Sequence, residues 1–306
     1  MQTFGIGYEH QRFDNSDFIK VNLTNVKQSD RPLYKSALFL DEFEVVTPYD
    51  ISSVMHFGSK ENAFSAQYAV ISAVNPIMQY SIGPEIRSSD RPLSSRDVST
   101  LNRIFLCTDR CSRDLPCMHG SYPTRDCTHC VCQYGFSGRF CDKLQMANRY
   151  NVDGCGVMNG SAGYIVSPGY PEQYPRGAFC QWLVQGKSRS ERVRFVINSL
   201  DLEYETVIRS DRCMDTFYVW PHGTDVLTKS LSCFPDDARA VVGRWHTTQS
   251  NWLLIELRTN PWGDAPHGGF NVSYETIDLQ TKAFRKTSHN GKSESRRVCL
   301  APAVGE

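Results

Sequence analysis

Residues 111–141 read CSRDLPCMHGSYPTRDCTHCVCQYGFSGRFC and hold six of the chain's twelve cysteines: Cys111, Cys117, Cys127, Cys130, Cys132 and Cys141. A stretch this short cannot bury enough apolar surface to fold unaided, so covalent cross-links must supply its stability. Between Cys132 and Cys141 runs QYGFSGRF, with glycines where a tight hairpin needs positive φ. Such cysteine density belongs to oxidising compartments, and all twelve cysteines lie between Cys107 and Cys299. A competing reading is a zinc site, in which Cys127, Cys130 and Cys132 join His119 or His129 as four ligands. Six cysteines at these spacings close three bridges and leave no thiolate over.

Outward from this segment, the 306 residues suffice for two or three domains, each with its own core. Lys+Arg and Asp+Glu are equal at 33 each, so no global charge draws the chain to nucleic acid or to an anionic membrane. No apolar run reaches the roughly 18 residues that cross a bilayer, and the opening MQTFGIGYEH lacks the charged-then-apolar pattern of a signal peptide. An oxidising-compartment chain without a leader is expected to be missing part of its N-terminus. The sequons at Asn22, Asn159 and Asn271 agree with a secreted, extracellular glycoprotein.

The six-cysteine segment resembles an EGF-like module over 108–142, and the resemblance implies the pairs Cys111–Cys127, Cys117–Cys130 and Cys132–Cys141. After a linker at 143–154 the composition changes to short aromatic-rich runs such as VRFVINSLDLEYE, CMDTFYVW and NWLLIELRTN, separated by turn residues. That pattern argues for an all-β sandwich. Its landmarks, Cys155-Gly156, SPGYPEQYP, Cys180-Gln181-Trp182, Cys213-Met214-Asp215, Cys233 and Gly268-Gly269-Phe270, resemble a CUB domain, jelly-roll-like in fold, over 155–277. The resemblance implies bridges Cys155–Cys180 and Cys213–Cys233. It also implies calcium at Glu203, Asp215 and a late acidic position, which here is Asn260. Losing one carboxylate weakens such a site without forbidding it, and the alternative makes Glu203 and Asp215 ordinary solvated loop acids.

Residues 1–107 carry three anchors: GIGYEHQRFD from Gly5, YDISSVMHFG from Tyr49, and IGPEIRSSDRPLSSRDVSTLNRIFLC ending at Cys107. In this order they resemble the C-terminal half of an astacin-family metzincin peptidase, an α+β fold. Peptidase, EGF-like and CUB modules in succession also resemble the nematode-type arrangement of that family.

The resemblance implies a zinc endopeptidase built on H-E-x-x-H-x-x-G-x-x-H, whose histidines hold the metal and whose Glu polarises its water. Aligning Gly5 with the motif glycine puts Gln2 at the second histidine and Tyr8 at the third, with Glu9 as the residue after it. The first histidine and the catalytic Glu would precede Met1. A different register makes His10 the third ligand but puts Phe4 at the second. At the Met-turn, Met55 is kept, and Phe57 stands where the family usually has a Tyr whose phenol stabilises the reacting oxyanion. Three substitutions on one sphere fit relaxed selection for metal, so zinc, though expected for the family, is not expected to bind here. Without a metal Met55 reads as core packing, His10 as a polar helix-end residue, and His56 as a neighbour of the turn.

Cys107 and Cys299 remain after the assigned pairs, and they are open to pairing together, to pairing with another chain, or to staying free. Neither lies in a nucleophile motif. The tail at 278–306, polar and basic without apolar periodicity, reads as disordered. Three functions follow: a noncatalytic homologue binding extracellular or matrix proteins through its EGF-like and CUB modules, an active secreted zinc endopeptidase incompletely represented, or a decayed product.

Overall fold

The structure, a computed structural model, describes residues 6–36, 47–65, 67–83, 93–107, 111, 115–145, 154–207, 210–220, 239, 241–262 and 266–279. Gln2, Gly5, Cys233, Cys299 and the tail beyond residue 279 lie outside the described residues.

The first segment is short of regular structure. Strands β1 (Ile19–Val21) and β2 (Ile71–Ala73) pair antiparallel in the register Ile19↔Ala73. Helix α1 (Ser95–Ile104) is started by a capping box: the Ser94 hydroxyl accepts the Asp97 N–H, and the Asp97 carboxylate accepts the Ser94 N–H. This arrangement satisfies two otherwise orphaned backbone donors. Ile19, Tyr49, Ile51, Val70, Ile71, Ile77, Met78 and Ile82 form the local core.

Strands β3 (Tyr122–Pro123), β4 (Cys130–Val131), β5 (Phe136–Ser137) and β6 (Lys143–Leu144) make two small ladders, β3 with β4 and β5 with β6. Disulfides Cys111–Cys127, Cys117–Cys130 and Cys132–Cys141 tie them together. The β5–β6 ladder, extended by Gln145 N–H donating to Gly135 C=O at 2.8 Å, carries this unit past residue 142, into the stretch read as linker.

The rest is a two-sheet β structure. Its strands are β7 (Gly156–Met158), β8 (Ala162–Val166), β9 (Phe179–Gln185), β10 (Glu191–Asp201), β11 (Tyr204–Val207), β12 (Ser210–Cys213), β13 (Thr216–Trp220), β14 (Trp245–Thr247), β15 (Trp252–Arg258) and β16 (Gly269–Asp278). One sheet runs β14-β10-β16-β8 and the other β13-β15-β9-β7, with β11 and β12 forming a separate hairpin. All pairs are antiparallel except β7 with β9. Cys155–Cys180 staples the lead-in of β7 to β9, and Cys213 is also disulfide-bonded.

Period-2 alternation decides where the core sits. Leu253, Ile255 and Leu257 of β15, Cys180, Trp182 and Val184 of β9, and Phe217 and Val219 of β13 point between the sheets. There they meet Phe195, Ile197, Phe270 and Val272; the Trp182 and Phe217 rings lie 5.3 and 4.5 Å from Phe270. The intervening residues Trp252, Leu254, Leu183 and Trp220 are buried too, because the disulfide unit covers the outer face with Phe136, Cys130 and Cys141. Gly135 makes this possible: at φ +84°, a Cβ there would meet Leu254 Cδ2 at 2.6 Å. The first segment also joins this body. His246 Nδ1 lies 2.8 Å from Asn75 Oδ1, and Arg96 Nη1 donates to Gln249 Oε1 at 3.2 Å.

Candidate functional site

Of the positions read as remnants of a metal centre, Tyr8, Glu9, Met55 and Phe57 lie in or against the turn at Ser53–Phe57. Glu9–Gln11 is one turn of 3-10 helix laid on it, with Glu9 N–H donating to Met55 C=O at 3.1 Å. The turn is fastened to α1 by Asp97, whose carboxylate accepts from Ser53 Oγ at 2.6 Å and Val54 N at 3.0 Å. Asp50 braces it from the other side, accepting from Ser52 Oγ and Ser94 Oγ. Gly83, at φ +80°, comes so close that a Cβ would meet Gly58 Cα at 2.7 Å. Met55 is buried, and its N–H donates to Ser53 Oγ at 3.0 Å.

Side-chain chemistry is decided by two imidazoles. His10 is fully buried, stacked on Phe57 at 4.0 Å, with Tyr8 and Tyr34 rings at 5.3 and 5.8 Å. This differs from a helix-end polar residue: rings enclose it on several sides. Its Nε2 faces Leu33 C=O at 3.0 Å and must donate, which leaves Nδ1 as acceptor for Phe57 N–H at 3.4 Å. His56 repeats the pattern with the other tautomer, Nδ1 donating to Phe57 C=O at 2.7 Å and Nε2 accepting from Tyr49 Oη at 2.8 Å. Both lone pairs are spent, and both rings are held neutral: burial lowers the His10 pKa, and it lowers that of His56 to about 4. Phe57 brings only carbon, its ring 5.1 Å from that of Tyr8.

Glu9 is not aimed at this ring cluster. Its Oε1 accepts from Arg12 Nη1 at 3.0 Å and Asp50 N at 2.7 Å, and burial raises its pKa to about 7 against the pull of Arg12. Arg12 also grips Asp14 with two bonds of 2.9 and 2.8 Å.

Zinc binding requires three or four converging lone pairs on nitrogen, sulfur or carboxylate oxygen. The described residues do not fit this. Among them no three His, Cys, Asp or Glu side chains are grouped for a metal, and both imidazoles of the turn are turned inward to protein partners. Of the positions that sequence assigns to the centre, Tyr8, Glu9, Met55 and Phe57 are among the described residues.

A second group forms at one end of the two-sheet body. Glu203 follows β10, Asp215 precedes β13 and Asn260 follows β15. Asn260 Nδ2 donates to Glu203 Oε2 at 3.0 Å and to Asp215 Oδ1 at 2.9 Å, so the structure brings all three together. Of the sequons, Asn22 and Asn159 are exposed. Asn22 Oδ1 accepts from both the hydroxyl and the N–H of Thr24, whereas Asn271 lies in β16 with its Oδ1 bonded to Asn198.

A polar site that sequence reading missed lies beneath the disulfide unit. Glu256, fully buried, accepts from Gln181 Nε2 at 2.7 Å, Arg258 Nε at 2.5 Å and Tyr134 Oη at 3.1 Å, and burial raises its pKa to about 7. A charged residue within the apolar run of WLLIELR was the signal. The capping network at Asp97 was likewise written in Ser94-x-x-Asp97.

Two family models match the chain: the Astacin peptidase family over residues 1–106 and the CUB domain over residues 155–219. The zinc metalloproteinase dpy-31 of Teladorsagia circumcincta is 30% identical over 215 residues, covering 70% of this chain and 34% of its own length. Protein SpAN of Strongylocentrotus purpuratus is 26% identical over 296 residues, 94% of this chain and 43% of its own. The chain thus spans about a third to under half the length of these curated relatives. Among solved structures, the CUB1-EGF-CUB2 domains of rat MASP-1 align over 40% of this chain and 42% of that one, at 19% identity and a TM-score of 0.31. With the turn at Met55 and the two-sheet body at hand, residues 1–106 belong to the astacin family of peptidases and are joined in this chain to a CUB domain.

Proposed function

We propose that this chain is a secreted astacin-family homologue that does not hydrolyse peptides, and that it acts through its EGF-like and CUB modules in binding extracellular or matrix proteins. The observation that carries the reading is the commitment of His10 and His56: each spends its lone pair on a protein donor, and Phe57 stacks where an oxygen-bearing side chain would be needed. Catalysis by a zinc peptidase depends on the metal lowering the pKa of its water and polarising the carbonyl. Among the described residues around this turn no three His, Cys, Asp or Glu side chains group as a ligand set, and Phe57 brings no oxygen to the turn. In this reading the segment at 111–145 is the EGF-like module, Cys213 pairs with Cys233, and glycans sit on Asn22 and Asn159, with Asn271 the least accessible acceptor.

The test is elemental analysis of the purified, dialysed chain, expected to give well under one zinc per molecule. One tightly held zinc per chain would overturn the proposal. A second reading, an active zinc endopeptidase, is favoured by what relatives such as dpy-31 are called, and the same analysis decides between the two.

A further inference from the structure

The corner built by Glu203, Asp215 and Asn260 is where the CUB resemblance leads one to expect calcium. Its geometry argues for a different closure. The Glu203 side chain is only 13% exposed and Asp215 only 1%, and a single nitrogen reaches both. Like charges this close in a part-dry corner repel unless something positive or hydrogen-donating stands between them. Calcium does so with six to eight oxygen ligands at about 2.3–2.6 Å. Here the amide of Asn260 does so with its two N–H groups, one for each carboxylate.

Every other donor around the corner agrees. The Asn260 backbone N–H gives Asp215 Oδ1 a second bond at 2.7 Å, and the Tyr174 hydroxyl donates to Asp215 Oδ2. Arg176 Nη1 stands 3.4 Å from Glu203 Oε2 while donating to Trp262 C=O at 2.9 Å. The backbone N–H groups of Met214 and Asp215 donate to Glu203 C=O at 3.1 and 3.3 Å, which links two of the loops directly. The side-chain oxygen of Asn260, Oδ1, is buried and has no hydrogen-bond partner among the described residues, and its backbone oxygen already accepts from Gly177 N–H at 2.8 Å. Turning the amide over would sacrifice two charge-assisted bonds, which are about twice as strong as neutral ones, and would set three oxygens against each other.

We infer that Asn260, assisted by Arg176, takes the place of a divalent cation and holds these loops of the CUB domain in their final arrangement without metal. The amide-bridged carboxylates make the corner intrinsically independent of calcium. A carboxylate at position 260 converts it into a calcium-dependent one, because three acids then converge and the side-chain amide that donated to both Glu203 and Asp215 is gone.

The experiment uses the full chain, with thermal unfolding in chelator and in millimolar calcium, and calorimetric titration with calcium chloride. The natural chain is expected to unfold at the same temperature in both conditions and to show no stoichiometric calcium uptake. Asn260→Asp is expected to unfold several degrees lower in chelator and to recover in calcium, the signature of a ligand that binds only the folded state. Asn260→Ala is expected to unfold lower in both, with no recovery. Uptake of one calcium per natural chain that disappears in Glu203→Gln would overturn the inference, since Asn260 Oδ1 would then be a ligand. This titration decides the matter even if Asn260→Asp does not fold.

Discussion

At the scale of single residues, the positions of hydrogens decide what each imidazole can do. Leu33 C=O and Phe57 C=O can only accept, and this assigns the tautomers of His10 and His56. Asp97 carries the heaviest load. It caps α1 and holds the Met55 turn with one carboxylate, so Asp97→Ala is expected to cost about 2–4 kcal/mol, the sum of a lost cap and newly orphaned buried donors. Chemical denaturation measures this, and a loss under about 0.5 kcal/mol, the level of an ordinary surface substitution, would contradict it. Glu9 and Glu256 have folded-state pKa values near 7 against an ordinary 4.5. Their contribution to stability is therefore complete below about 4.5 and is lost as pH rises through 7. His56 runs the other way, its contribution present above 6.5 and lost as pH falls toward 4. The melting temperature is accordingly expected to decline from pH 6.5 to 8, and Glu9→Gln to flatten part of that decline. An unchanged profile in Glu9→Gln would show that its carboxyl is not buried as described.

At the scale of elements, β15 is the organising strand, because both of its faces are buried. Its outer residues Trp252 and Leu254 pack under the disulfide unit, where the Trp252 ring meets Phe136 at 5.1 Å and His119 at 5.5 Å. Phe136→Ala is expected to cost about 3–5 kcal/mol and to free the disulfide unit from the sheet. Limited proteolysis around residue 145 should then cut the variant and spare the natural chain, whereas equal resistance would mean that the contact is incidental. Much of this was legible in sequence. The short apolar run in NWLLIELRTN, bounded by Asn251 and Asn260, marked a strand, and QYGFSGRF supplied Gly135 and Gly138, both at positive φ. The partner of the outer face was not legible, because an apolar run marks which residues are buried and says nothing about what buries them. The same limit applied to His10: Glu9 and Arg12 beside it suggested a polar surface, and only long-range contacts with Leu33 and Phe57 enclose it.

At the scale of the whole molecule, the astacin-family segment and the CUB domain share one run of buried apolar side chains. Between them lies a cavity of about 160 Å³ bordered by Phe18, Tyr49, Met78, Arg96 and Thr247. Asn75 and His246 bridge beside it, so alanine substitutions there are expected to couple by about 0.5–3 kcal/mol in a double-mutant cycle. Strict additivity would mean that the two bodies fold independently. No described helix is long and apolar enough to cross a membrane. In the segment at residues 1–106 the imidazoles of His10 and His56 serve packing and hydrogen bonding, and the proposed function rests on that. The most direct test of that claim is cleavage of an unstructured protein substrate by the purified chain, followed with and without chelator. The expected result is no hydrolysis above background in either condition, and chelator-sensitive cleavage by material free of other proteases would contradict it.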